Sequence, residues 1–171
     1  KKAVSPIIAT LILIIITILA GIIVYFYVAG YLSGAGSQPK ISLSGGANAP
    51  GSGTIIFLSV HIKNDGTVPL TIPTTAGAIR ADFVGVSLST AAGSCTVIAG
   101  LSGTCTNTAT PPFTSVTLTS ALTLNPGESA GITLRIVATS SAQGRNVVVT
   151  VNANTPQGGT LTNQISLTIS S

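Results

Sequence analysis

The chain has 171 residues and a formal net charge of +4, with only 6% of its side chains charged, against about 25% in ordinary soluble proteins. Three acids (Asp65, Asp82, Glu128) face seven bases, of which Lys1 and Lys2 sit together and the rest are scattered. No basic stripe with interleaved aromatics exists, so the electrostatic footprint of a nucleic-acid binder is missing. The length suits a single domain plus an accessory segment, and much of the mean hydropathy of +0.66 comes from the first 32 residues.

The first predicted element is a helix. From Ile7 to Leu32 there are 26 residues without a charge, and about 20 apolar residues suffice to span a bilayer. The run exceeds the roughly 7–15 apolar residues of a cleaved secretory signal, and no small-residue cleavage motif closes it. Ser5 is the expected N-cap and Pro6 suits the first helical position, where its missing N–H costs nothing. A helix from Pro6 to Leu32 would be about 40 Å long. The stretch 33–39, Ser-Gly-Ala-Gly-Ser-Gln-Pro, reads as a linker.

Aliphatic side chains occupy every face of this helix, and a helix apolar all round is buried all round, in lipid or among other helices. Thr10 and Thr17 can return their hydroxyls to carbonyls one turn back. Ala9, Ala20, Gly21, Ala29 and Gly30 allow close approach of neighbouring helices. Tyr25, Phe26, Tyr27 and Tyr31 cluster at the far end, as an interfacial belt would. Lys1 and Lys2 place the start on the cytoplasmic side and the remainder outside.

Residues 1–21, KKAVSPIIATLILIIITILAG, resemble the N-terminus of archaeal type IV pilins, in which a basic residue and an Ala-Val-Ser-Pro-type motif precede an uninterrupted aliphatic helix. The resemblance implies an N-terminus processed by a prepilin peptidase, which the missing initiator Met fits. It also implies polymerisation through the helix, driven by an assembly ATPase and a polytopic membrane platform. Ser5 and Pro6 would then start a filament-core helix packed through Ile7, Ile8, Leu11, Ile12, Ile15, Ile16, Leu19, Ile22, Ile23 and Phe26. Bacterial type IV pilins carry a glutamate five residues in; Ser5 stands there in this chain, so a charge-based register is not expected. The roles implied are adhesion, DNA uptake or virus attachment. An archaellin-type motility subunit and a monomeric membrane-anchored binding domain are the alternatives.

Beyond the linker, from residue 40 to 171, the pattern alternates with period two, as half-buried strands do. Ile56, Leu58, Val60 and Ile62 fall on one face, with Phe57, Ser59, His61 and Lys63 on the other. The same alternation is read at Val84, Val86 and Leu88, and at Val116, Leu118, Leu122 and Leu124. It recurs at Ile132, Leu134 and Ile136, at Val147, Val149 and Val151, and at Leu161, Ile165, Leu167 and Ile169. Turn residues intervene at Asn64-Asp65-Gly66, Asn125-Pro126-Gly127 and 155–159. Seven or eight strands of this kind predict an extracellular immunoglobulin-like sandwich, with a jelly roll as the alternative. The fold class expected is therefore α+β, one long apolar helix followed by an all-β domain.

Residues 33–171 contain 40 Ser and Thr among 139. Thr is a good strand former; the other reading is a surface covered by sugar or by neighbouring subunits. None of the eight asparagines begins an Asn-X-Ser/Thr sequon, so any glycan should be O-linked. Cys95 and Cys105 are the only cysteines. In an extracellular domain the pair predicts a disulfide, closing a loop worth about 3 kcal/mol. Two thiolates without neighbouring His or Cys make a poor metal site. His61, the sole histidine, falls on a polar strand face. Asp65 and Glu128 are assigned to turns, and Asp82 to a surface ion pair. No catalytic constellation or phosphate-cradling loop is present, so neither an enzyme nor a cofactor is expected.

Overall fold

A computed structural model describes residues 6–36 and 38–171. Two compact units divide between Gln38 and Pro39. The first is a single helix, α1, Pro6–Ala35, three residues longer than the sequence reading and about 45 Å from end to end. The predicted linker therefore begins as the helix's last turn, and the helix gives way to a turn at Gly36. The N-cap assigned to Ser5, and the orienting pair Lys1 and Lys2, lie outside the described residues.

The second unit holds eleven strands: β1 (Ile41–Asn48), β2 (Ile55–Asn64), β3 (Leu70–Ile72), β4 (Ile79–Val84), β5 (Cys95–Gly100), β6 (Gly103–Ala109), β7 (Pro112–Leu118), β8 (Leu122–Leu124), β9 (Ser129–Val137), β10 (Asn146–Asn154) and β11 (Thr160–Ser170). One sheet runs β5-β9-β2-β1 and the other β11-β10-β4-β7-β6, with short β3 and β8 paired beside β10. The sheets meet where β1 and β11 run parallel, at Ala47↔Ile169 and Asn48↔Ser170; the other pairings are antiparallel. The chain is thus of the expected α+β class, a helix followed by a β-sandwich.

The core is one cluster between the inner faces. β2 contributes Ile56, Leu58, Val60 and Ile62, β9 contributes Ile132, Leu134 and Ile136, and β10 contributes Val147, Val149 and Val151, all buried as the alternation predicts. Leu161, Ile165 and Leu167 are only half-buried, because β11 pairs with β1 over its last residues alone. The run Val84, Val86, Leu88 is not a strand face. β4 ends at Val84, which is 60% exposed, and its inward residues are Ile79, Ala81 and Phe83. Gly85, at φ +70°, then turns the chain, so Val86 and Leu88 reach the core from a separate segment that touches β9's end through a lone bridge, Leu88↔Ala138.

Candidate functional site: the uncovered helix

The feature that demands a function is α1. Pro6–Tyr31 is long and apolar enough to cross a membrane, and none of it is buried. Each residue expected at a helix-bundle core is open to contact, from Ile22 at 48% to Ile7 and Phe26 at 70%, with Ile8, Leu11, Ile12, Ile15, Ile16, Leu19 and Ile23 between. No polar seam interrupts them. Thr10 donates to the Ile7 carbonyl at 2.9 Å and Thr17 to the Ile14 carbonyl at 2.8 Å, so both hydroxyls are satisfied within the helix. Tyr25 and Phe26 meet edge to face at 5.9 Å between ring centres. The sequence marks this segment by an unbroken apolar run rather than by a periodic stripe, since every face is aliphatic.

In the β-domain the two cysteines are disulfide-bonded. The disulfide expected to close a loop joins two strands instead, Cys95 on β5 and Cys105 on β6. β5 is the edge of one sheet and β6 the edge of the other, so the bond ties the sheets together on the side opposite the β1–β11 junction. Behind it, Asn107 donates to the Ser89 carbonyl at 3.0 Å and accepts from the fully buried Thr114 hydroxyl at 2.7 Å. Such long-range side-chain bonds leave no periodic trace, and the sequence reading missed them. It also missed a β-bulge: β5 skips a residue between Val97 and Ala99, which turns Ile98 out to 50% exposure.

The three acids serve structure. Asp65 pairs with Lys63 at 2.7 Å, and Arg80 donates from Nε to Asp82 at 2.8 Å while lying 3.9 Å over the Phe113 ring. Glu128 accepts from the Asn125 backbone N–H at 2.8 Å, closing its turn. Hydrogen bonds from Lys63 and Ser42 hold the Asp65 carboxyl below its ordinary value, and the Asn125 backbone does the same for Glu128. His61 is exposed on β2. Among the described residues no three His, Cys, Asp or Glu side chains gather as a metal site would require.

No protein-family model matches the chain, and no curated protein matches it. Among solved structures it is similar to a biomass-sensing module of the Rsgi2 protein from Clostridium thermocellum, described as resembling a family 3 carbohydrate-binding module (18% identity, TM-score 0.38, 58% of this chain). The match spans 65% of that module, just under two thirds. It is also similar to the sporulation control protein Spo0M from Bacillus subtilis (12%, TM-score 0.37, 78% of this chain and 49% of that one). A third is the cohesin module of a family 33 glycoside hydrolase from Clostridium perfringens (7%, TM-score 0.37, 78% and 96%). At these scores the likenesses carry no argument about function.

Proposed function

We propose that the chain is the structural subunit of an extracellular type IV pilus-like filament, adhesive rather than enzymatic, which polymerises through α1. The observation that carries this reading is a helix with Ile and Leu on every face and nothing covering it. Lipid satisfies that surface before assembly, and the helices of other copies satisfy it afterwards. Moving from bilayer to helix bundle changes little hydrophobic energy. Release into water would expose about 17 large apolar side chains, on the order of 25–50 kcal/mol. Subunits held this way do not leave by dissociation. A disulfide between sheet edges suits an oxidising, extracellular setting for the β-domain, and the N-terminal motif supports insertion from the cytoplasmic side, a prepilin peptidase, an assembly ATPase and a membrane platform as partners.

Replacing Ile15 by Asp tests the reading, since a mid-helix charge costs about 2.5–3.5 kcal/mol on insertion scales and more in a dry bundle. Filaments should be absent while the β-domain still forms its disulfide. Normal filaments from Ile15→Asp would contradict a core made of this helix. A motility subunit would instead reveal itself by loss of swimming on deletion.

A further inference from the structure

On the outer face of the β5-β9-β2-β1 sheet, Asn48, Phe57 and Arg135 stand directly opposite one another on β1, β2 and β9. In the adjoining row, about 7 Å away along the strands, come Gly46, Ser59 and Thr133. The Ser59 and Thr133 hydroxyls bond to each other at 2.8 Å. The absent side chain of Gly46 leaves a shallow hollow of about 320 Å³, lined by Asn48, Phe57, Ser59 and Thr133. A Cβ built at Gly46 would meet no atom within 4 Å.

The charge of this face is unbalanced. Among the described residues Arg135 has no acid or hydrogen-bond partner, because each of the three acids is engaged elsewhere: Asp65 by Lys63, Asp82 by Arg80 and Glu128 by its own turn. In a second copy the two aspartates already hold cations of their own, and Glu128 is held in its turn by the Asn125 N–H. Nucleic acid would want several clustered cations to neutralise its phosphates, and this row holds one. What the row does present is a half-buried aromatic ring, a planar amide, two hydroxyls and a guanidinium, within one residue's reach of each other. The apolar C–H face of a pyranose packs on such a ring, its hydroxyls meet the amide and the Ser/Thr pair, and a ring carboxylate meets the guanidinium in the two-pronged geometry arginine favours.

We propose that this face docks an acidic polysaccharide, with one uronate ring over Phe57 and its carboxylate on Arg135. The inference rests on the β-domain being displayed outside the cell and is independent of polymerisation. The test is therefore titration calorimetry on full-length subunits held in detergent micelles, with polygalacturonate as probe and with dextran and single-stranded DNA in parallel. Polygalacturonate should bind, and Arg135→Ala, Phe57→Ala and Gly46→Leu should each weaken it at least about tenfold. Gly46→Leu fills the hollow without removing a charge, and the open space there lets the fold accept it. Arg145→Ala removes an exposed arginine elsewhere and should change nothing. The proposal is overturned if polygalacturonate does not bind, if dextran binds as well, if DNA binds more tightly, or if Arg145→Ala weakens binding as much as Arg135→Ala. Failure here leaves the filament reading standing, and loss of filaments leaves this result unchanged.

Discussion

Asn64 illustrates how much a single polar side chain does in this domain. Fully buried, it donates to the carbonyls of Val68 and Leu124, both at 2.8 Å, and its Oδ1 accepts from the Gly66 N–H at 3.0 Å. Asn64→Ala removes all three bonds from a buried site, so the urea midpoint should fall by the equivalent of about 2–3 kcal/mol with an unchanged slope. The sequence marks Asn64-Asp65-Gly66 as a turn, but its composition does not reveal which member is buried. The carboxylates work at the same scale. Asp65 and Glu128 lie below their ordinary values of 3.8 and 4.5 in the folded chain. The stabilisation they supply is present above those values and is lost as pH falls through the lowered ones. Both pairs are exposed, so the effect is small. The thermal midpoint of the β-domain should stay level from neutrality to about pH 5 and decline only below about pH 4. A steep loss between neutrality and pH 5 would implicate another group.

Among the elements, β4 separates pattern from structure most sharply. Phe83→Ala should cost about 3–5 kcal/mol, because Phe83 is a core residue only 4% exposed. Val84→Thr should change stability by less than about 0.5 kcal/mol. The reverse order would restore the reading in which Val84, Val86 and Leu88 share a strand face. That reading fails because period two was carried straight through the turn at Gly85, which resets the register. On β2, β9 and β10 the alternation is reliable: these strands bury the residues it selects, since each has one face on the core. β1, β5 and β6 were illegible as strands: β1 and β6 are rich in Gly, Ser and Thr, and β5 is a short run between Gly- and Ser-containing segments. Pairing with β2, β9 and β7, rather than propensity, makes them strands. Gly100 shows the same dependence on context: at φ +91°, a Cβ there would collide with the Gly131 carbonyl of β9. The Cys95–Cys105 bond joins β5 to β6 across the sheet edges, so removing it loosens two sheets rather than one loop. Replacing both cysteines by Ala should lower the midpoint on the order of 10 °C, by about 3 kcal/mol, and calorimetry in oxidising buffer reads it directly.

Taken whole, the molecule pairs an aliphatic helix with a β-domain that carries few charges. The helix was legible except for its last turn, because nothing interrupts it from Ile7 to Leu32 and the Gly/Ser residues beyond read as a break. The Asn48–Phe57–Arg135 row was not, because its members come from three strands distant in sequence. With three acids and one histidine in the chain, few proton-linked forces would act on the proposed filament, whose core helix carries no charge from Ile7 to Leu32. Filaments should therefore keep their length near pH 2 and yield to agents that solvate apolar surface; acid dissociation would show that ionisable groups hold the helices in register. The central claim is that α1 is buried by copies of itself. Electron cryo-microscopy of filaments sheared from cells producing this chain tests it most directly. The account predicts a core of α1 helices about 45 Å long packed against one another, with the β-domains arrayed outside. Subunits found only as separate membrane-anchored monomers, or filaments whose core excludes α1, would contradict it.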